Sequence, residues 1–503
     1  MKTIKHIIPL IFLFIPLFSF SQEDFEEKLM KQFHMISSEE IIDWVTEMSS
    51  DKYKGRLTGT PEYLAVAEWV ASKLKSWGVQ PGGDDGTYFQ WFDRPWNELH
   101  ELGYLALHIE QDDGTVIEKS YSFPDEFFPG ITTASGELTA EVIYIGYGVT
   151  APELDYDDYK DIDVKGKIVL MNRDVPYKDA RDPEYKKWVK YCYHQEKLNN
   201  AVKHGAAGML YIGGNIANPN ISWSDGFVWA GIAETPLNDL FAGTGKTNKS
   251  ILEGIDKSFK PNSFSLNKNV TIKAKSTWHP DGKGCNVIGV IPGTDPDLKD
   301  EVIIIGGHLD GVGFIGDIVL PGAWDNASGI ADIMGAAKAM GQSGIELKRS
   351  VMFLFIGGEE CGLLGSKLYA DEPKFQIDKT VCYINLDMVG NGVGIRLGGG
   401  ASFPGILKHF EDVNTYFLHR NFSSSEVRTH YGRPRSDGAS FQDVGIPSLS
   451  IGTTGAYKRG YYHHPLDKVE TLTPEVMEDV SKLIYISLTK LARDKEYKLK
   501  IKN

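Results

Sequence analysis

Between residues 302 and 470, five segments at the ends of apolar runs or helices carry a group able to bind a cation. Val302 to Ile305 leads into Gly306-Gly307-His308-Leu309-Asp310. Val351 to Ile356 leads into Gly357-Gly358-Glu359-Glu360, and Val381 to Leu386 ends in Asp387. Asp325 stands at the mouth of a helix in Ala323-Trp324-Asp325-Asn326-Ala327-Ser328-Gly329. His463 follows the apolar run Ser448 to Ile451, within Tyr461-Tyr462-His463-His464-Pro465-Leu466-Asp467. A single carboxylate at a helix start is ordinarily a cap. Five such groups at one edge of one sheet call for a shared explanation. His308, Asp325, Glu360, Asp387 and His463 supply two imidazoles, three carboxylates and no thiolate. That mixture suits catalytic zinc, with manganese or cobalt as substitutes. One cation cannot use all five and keep an open position. Two cations sharing one carboxylate can, at a spacing of about 3.5–4 Å.

The elements that must hold these groups alternate strand, loop and helix from about residue 276 onward, with a helix from Ala327 to Met340. Such alternation predicts a mostly parallel sheet covered by helices, an α/β fold whose ligands bind beyond the carboxyl ends of the strands. Upstream, a helical segment runs from Ser38 to Met48. Gly55-Arg56-Leu57-Thr58-Gly59-Thr60-Pro61 is a turn that ends in a helix start, with Thr60 as cap and Pro61 in the first turn. Leu64, Ala67, Val70, Leu74 and Trp77 then recur at helical spacing as far as Gly78. Near Phe127 the texture changes to short strands, Val142 to Ile145 and Ile168 to Met171, followed by a helix through Leu198 to His204 and a strand Gly208 to Ile212. Few His or carboxylate groups cluster there. The division expected is a leader at 1–21, a catalytic domain formed from 22–126 and 276–503, and a β-rich, non-catalytic insertion at 127–275.

Composition narrows the classes further. Hydrophobic residues make up 42% and charged residues 24%, which is globular rather than disordered. The formal charge of -15 excludes nucleic acid as a natural partner, since phosphate binding needs a basic face. Lys2 and Lys5 precede an apolar run from Ile7 to Phe20 and a small residue, Ser21. This is the layout of a secretory signal, predicting cleavage after Ser21, export to the periplasm or beyond, and no membrane span in the mature chain. Cys192, Cys285, Cys361 and Cys382 lack CxxC spacing. They are either disulfide-bonded, in one of three full pairings, or buried thiols.

The segments HLD, PGAWDNASG, GGEECGLLGS, NLDMVG and YHHPLDKVE resemble those of the co-catalytic zinc exopeptidases, metallopeptidase family 28, with its secreted bacterial aminopeptidases. The likeness is close over 284–470, where it implies that the mostly parallel sheet flanked by helices is mixed at its edges, and looser over GRLTGTPEYLAVAEWVASKL. Ile145-Gly146-Tyr147-Gly148, Val164 to Val169 and Ala201 to Tyr211 resemble the protease-associated domain. The resemblance implies two zinc ions per chain, one on His308 and Asp387, the other on Glu360 and His463, with Asp325 bridging. It also implies that Asp310 orients the His308 ring, that Glu359 is the general base for the water held between the metals, and that Tyr462 polarises the scissile carbonyl. Peptides cut at the amino end are the implied substrates; the sequence leaves the oligomeric state open. Two related activities share the pattern. A glutaminyl cyclase of this fold uses one zinc, against which stand the intact DNASG segment and all five ligands. A glutamate-releasing carboxypeptidase needs a basic pocket, for which Arg428, Arg433 and Arg435 are available before Ser436-Asp437. A binding protein that had lost catalysis would lack ligands, and none is missing.

Overall fold

The apolar runs of the second half have alternate side chains that serve two different cores. In the computed structural model, which describes residues 18–213, 217, 219 and 221–499, Ile303, Ile305, Val351, Phe353, Phe355, Ile384 and Leu386 pack into one cluster. Val302, Ile304, Met352, Leu354, Ile356 and Tyr383 pack into another on the opposite face. A sheet buried on both faces must read as a continuous hydrophobic run, which is why these strands show no polar alternation.

Strands Val302–His308, Ser350–Ile356, Thr380–Leu386 and Ser448–Thr454 lie parallel at the centre of a nine-stranded sheet. Lys283–Ile291 pairs antiparallel with Ser350–Ile356 on one side, and Gly394–Gly398 antiparallel with Ser448–Thr454 on the other. Helices Ser328–Gln342 and Pro474–Arg493 cover one face. The Ser481 hydroxyl donates to the main-chain oxygen of Asp332 at 2.9 Å where these helices meet. Short helices Leu364–Asp371 and Gly438–Asp443 cover the other face, where Phe441 stacks on Tyr383 with ring centroids 3.7 Å apart. The predicted Ala327–Met340 helix is displaced by one residue at its start and two at its end. The predicted Pro61 start is observed: helix Pro61–Ser76 is capped by the Thr60 hydroxyl, which accepts from the Tyr63 N–H at 3.1 Å.

A second, eight-stranded mixed sheet has a parallel centre in Gly136–Tyr144, Ile168–Asn172, Gly208–Ile212 and Val228–Ile232. Its membership extends further upstream than the change of texture at Phe127 suggests. The hairpin Tyr104–Glu110 and Val116–Ser120 joins it by pairing antiparallel with Phe264–Ala274. Val116–Ser120 is exposed throughout, so it lacks the apolar pattern that marks a sheet strand. The chain enters and leaves this body through one antiparallel ribbon, Trp96–Leu99 against Ser276–His279, where Trp96 stacks on His279 at 4.2 Å. All four cysteines are free and buried. Among the described residues no helix is long and apolar enough to cross a membrane. Residues 1–17 of the expected leader lie outside the described residues.

Arg56 ties the amino-terminal segment to the loops that approach the strand ends. It is wholly buried and donates from Nε to Leu309 O at 2.9 Å, from Nη1 to Met48 O and Pro321 O at 2.9 and 2.8 Å, and from Nη2 to Gly322 O at 2.9 Å. Arg56→Met keeps the bulk and removes donors from four buried carbonyls. The expected loss is about 3 kcal/mol or more, read from the urea transition of the sheet body. A shift below about 1 kcal/mol contradicts this role.

Candidate metal centre

The loops that follow the parallel strands converge at one edge of the large sheet. Gly307 allows the close approach: a Cβ there would lie 2.3 Å from Leu386 O, on the strand that delivers Asp387. Gly358, at φ +74°, turns the chain after Ser350–Ile356 and sets Glu359 and Glu360 at the rim.

His308 and His463 face each other across Asp325. His308 Nε2 lies 3.2 Å from Asp325 Oδ1 and 3.4 Å from Asp387 Oδ1. His463 Nε2 lies 3.4 Å from Asp325 Oδ2 and 2.9 Å from Glu360 Oε2. Two sets of ligand atoms result, His308–Asp325–Asp387 and Asp325–Glu360–His463, with Asp325 in both. A third set, His308–Glu359–Glu360, brings the Glu359 carboxylate to the same place. His308, Asp325 and His463 are 2, 5 and 6% exposed, so little of them is open to bulk solvent.

The proton positions show what this geometry lacks. His308 Nδ1 faces the main-chain oxygen of Asp310 at 3.1 Å, and His463 Nδ1 faces that of Ala217 at 2.7 Å. A carbonyl only accepts, so each ring must carry its proton on Nδ1 and present a bare Nε2 to carboxylate oxygens. Lone pairs then oppose lone pairs. Among the described residues His463 Nε2 and Glu360 Oε1 have no hydrogen-bond partner, despite the 2.9 Å approach of Glu360 Oε2, whereas His308 Nε2 and Asp387 Oδ1 are within hydrogen-bond distance at 3.4 Å. Either the rings take up a second proton or cations stand between ring and carboxylate. Burial opposes charging each ring, yet for His308 Asp325 and Asp387, and for His463 Glu360 and Asp325, outweigh it and hold its pKa well above the ordinary value. Three of the four N···O separations, 3.2, 3.4 and 3.4 Å, match the roughly 3.3 Å edge of a tetrahedron with bonds of about 2.0–2.1 Å, the zinc range, and the 2.9 Å between His463 and Glu360 is shorter. The donor set therefore fits two divalent cations sharing Asp325.

The surroundings fix Asp325 from behind. Asp467 accepts from the Trp324 N–H at 2.9 Å and from the Asp325 N–H at 3.1 Å. Asn326 donates to Leu386 O at 2.8 Å and accepts from Gly329 N and Met388 N at 3.1 and 3.2 Å, joining the Asp325 turn to the Asp387 strand. Thr58 Oγ1 accepts from Gly358 N at 2.9 Å. Sequence reasoning gave no role to Arg56, Thr58, Asn326 or Asp467, although each lies inside a segment that carried the resemblance. His463 sits at φ +51°, an uncommon region for a side chain, and Ala217 holds it there from both sides. The Ala217 N–H also donates to His463 O at 3.4 Å. Ala217 belongs to the loop after Gly208–Ile212 and is buried with Leu99, Phe128, Val312 and Leu320. Pro219 of the same loop faces His194 Nε2 through its carbonyl oxygen at 2.9 Å. The second sheet body thus braces His463 of the first, a contact across 246 residues of chain.

Asp310 departs from the expected geometry. Its carboxylate is 3.8 Å from His308 Nδ1, and the ring is held by the main-chain oxygen instead. Its Oδ1 accepts from the Glu359 N–H at 3.2 Å, so the carboxylate positions the strand end rather than the imidazole. Burial pushes its pKa up to about 6. Burial likewise raises Glu359 well above the carboxylate range, with the charges of Glu360, Asp437 and Asp387 adding and His308 opposing. Tyr462 stacks on the His463 ring, centroids 3.7 Å apart, and lines the cleft while 45% exposed. The cleft encloses about 540 Å³ between the two bodies, with Tyr177, Tyr193 and Pro219 on one side and Glu359, Glu360 and His463 on the other.

Asp467→Asn retains one acceptor where two N–H groups converge. It is expected to lower stability by about 1–3 kcal/mol. Unchanged thermal unfolding would show that Asp467 does not hold the Asp325 turn.

Residues 286–487 match the model of Peptidase family M28, and residues 136–230 match that of the PA domain. The chain is 32% identical over 170 residues to leupeptin-inactivating enzyme 1 of Streptomyces exfoliatus, covering 33% of this chain and 34% of that protein. It is 26% identical over 341 residues to leucine aminopeptidase 2 of Arthroderma otae, covering 67% and 55%. It thus spans about half or less of the length of these two relatives. Among solved structures, an aminopeptidase from Aneurinibacillus sp. strain AM-1 aligns with TM-score 0.61 at 20% identity over 94% of this chain and 97% of that one. BSAP, a zinc aminopeptidase from Bacillus subtilis, aligns with TM-score 0.58 at 19% identity over 93% and 98%. These likenesses share the fold. With the strand-end cluster inside one match and most of the parallel centre of the second sheet inside the other, residues 286–487 belong to peptidase family M28 and residues 136–230 form a PA domain.

Proposed function

We propose that this protein is an exported, zinc-dependent aminopeptidase that removes the amino-terminal residue of peptides and holds two zinc ions per chain. The observation that carries the reading is one buried carboxylate, Asp325, lying between two imidazoles that each turn a bare Nε2 toward a further carboxylate. His308 and Asp387 would hold one cation, Glu360 and His463 the other, with Asp325 common to both. When bound, the pair supplies Lewis-acid polarisation of a carbonyl and lowers the pKa of a water molecule. The names of the relatives, leucine aminopeptidase and zinc aminopeptidase, support the substrate class and the metal. The leader pattern supports export.

The chain's own residues have separable tasks. Glu359 reaches the cluster without occupying a place in the Asp325-centred sets, so its carboxylate is free to take a proton from water and return it to the leaving amine. Asp310 holds the Glu359 main chain, so the carboxylate does not wander from the reacting bond. Tyr462 lines the cleft wall, which supports a role in donating to the carbonyl oxygen as negative charge develops there. Asp467, Asn326 and Arg56 keep the loops from relaxing apart when like-charged carboxylates converge. The cleft volume lies within the range of small-ligand sites, about 300–1,000 Å³, which suits a chain end rather than a folded protein.

The direct assay compares aminoacyl anilides with N-blocked peptides and C-terminal glutamyl peptides, with chelator and with zinc restored. Chelator-sensitive cleavage of the free-amine substrates alone is expected. Cleavage of C-terminal glutamyl peptides alone would replace this reading with a carboxypeptidase. Glu359→Gln is expected to retain its zinc while kcat falls about 10²–10⁴-fold. A variant that keeps its rate would remove Glu359 from the proton transfer.

A further inference from the structure

The cleft above the metal centre is lined by cations in a chain whose formal charge is -15. Arg173 and Lys178 come from the PA-domain side, and Lys367, Arg433 and Arg435 from the peptidase side. Apart from Glu359 and Glu360, the lining has one carboxylate, Asp174, which lies 3.4 Å from Arg173. Lys178 lies 3.7 Å from Asp256 and donates to Val175 O at 2.8 Å, and Lys367 donates to Gly362 O at 2.8 Å. Arg433 and Arg435 differ from these. Both are exposed, and neither has a hydrogen bond or ion pair among the described residues. An adjoining groove of about 1080 Å³ shares Arg435, Lys178 and Lys367 with the cleft and adds Arg428 and Arg396, which form no ion pair among the described residues although Asp179, Glu426 and Asp443 also line the groove.

An isolated exposed arginine is ordinary solvated surface. Two unpaired guanidinium groups two residues apart, inside a concave wall that also carries a proposed cation pair, are not. Low-dielectric walls focus their field into the cleft. A planar guanidinium offers two parallel N–H donors matched to a carboxylate. We propose that the site selects peptides bearing a carboxylate beside the scissile bond, received by Arg433 and Arg435. This rests on the peptidase reading above and names its substrate class. The carboxylate has two sources with the same chemistry: an Asp or Glu side chain at either residue of the scissile bond, or the free carboxyl terminus of a dipeptide.

The test uses the full-length, zinc-loaded protein and three matched pairs, all with a free amine: Glu-Ala-amide against Gln-Ala-amide, Ala-Glu-amide against Ala-Gln-amide, and Ala-Ala against Ala-Ala-amide. The carboxylate member of at least one pair is expected to have a kcat/KM about tenfold higher or more, and the pair that responds identifies the source. The ratio is expected to shrink as salt is raised and to fall toward one in the double variant Arg433→Gln, Arg435→Gln. Calorimetric titration of Glu359→Gln with the same peptides reads the preference without turnover. Amide peptides cleaved with all three ratios within about twofold overturn the carboxylate selection and leave the aminopeptidase standing; so does a ratio that survives the double variant. If no pair is cleaved, the aminopeptidase reading fails, and the titration still decides the carboxylate selection: tighter binding of the acids supports it and equal binding overturns it.

Discussion

The structure depends on a conflict that either a second proton on each ring or a cation between ring and carboxylate must resolve. At the end of the sheet, His308 and His463 are forced by main-chain carbonyls to carry their protons on the far side. Their bare nitrogens then point at Asp325, Asp387 and Glu360, groups that only accept. Buried acceptors opposed to buried acceptors cost free energy that a folded chain does not ordinarily retain. Two divalent cations would remove that cost at all five groups together, and the arrangement fits a site preformed for them.

Holding such a site open requires stiffness around it, and that stiffness comes from neutral and cationic partners rather than from further acids. Arg56 spends its donors on carbonyls of the loops flanking Asp325, including Gly322 O. Asn326, next to the proposed bridging ligand, uses both ends of its amide to bind the Asp387 strand and the helix start. Asp467 accepts two main-chain N–H groups and so draws the Asp325 turn toward the His463 loop. The PA domain enters the same network through Ala217, which holds His463 in a strained conformation. That contact gives the inserted body a physical part in the centre beyond covering the cleft.

Much of this was legible in the sequence where chemistry and periodicity coincide. The strand ends could be read because strands buried on both faces leave uninterrupted apolar runs, and the residue after each run must lie at the sheet edge. The grouping of His308, Asp325, Glu360, Asp387 and His463 followed from that placement and from the resemblance. Contacts without a local signature escaped. The Ala217 brace is a main-chain carbonyl 246 residues from its partner, and no residue type announces it. The hairpin at 104–120 escaped because its outer strand is exposed and joins the sheet by pairing alone. For Asp310, the resemblance implied a part in orienting the His308 ring, and its carboxylate also accepts from the Glu359 main chain.

The central claim is that Asp325 serves two cations at once, and zinc titration of the metal-stripped chain tests it most directly. The account predicts two equivalents bound per chain and loss of tight binding at both sites in Asp325→Ala. Binding of a single equivalent by the unmodified chain, or two tight equivalents retained by the variant, would contradict it.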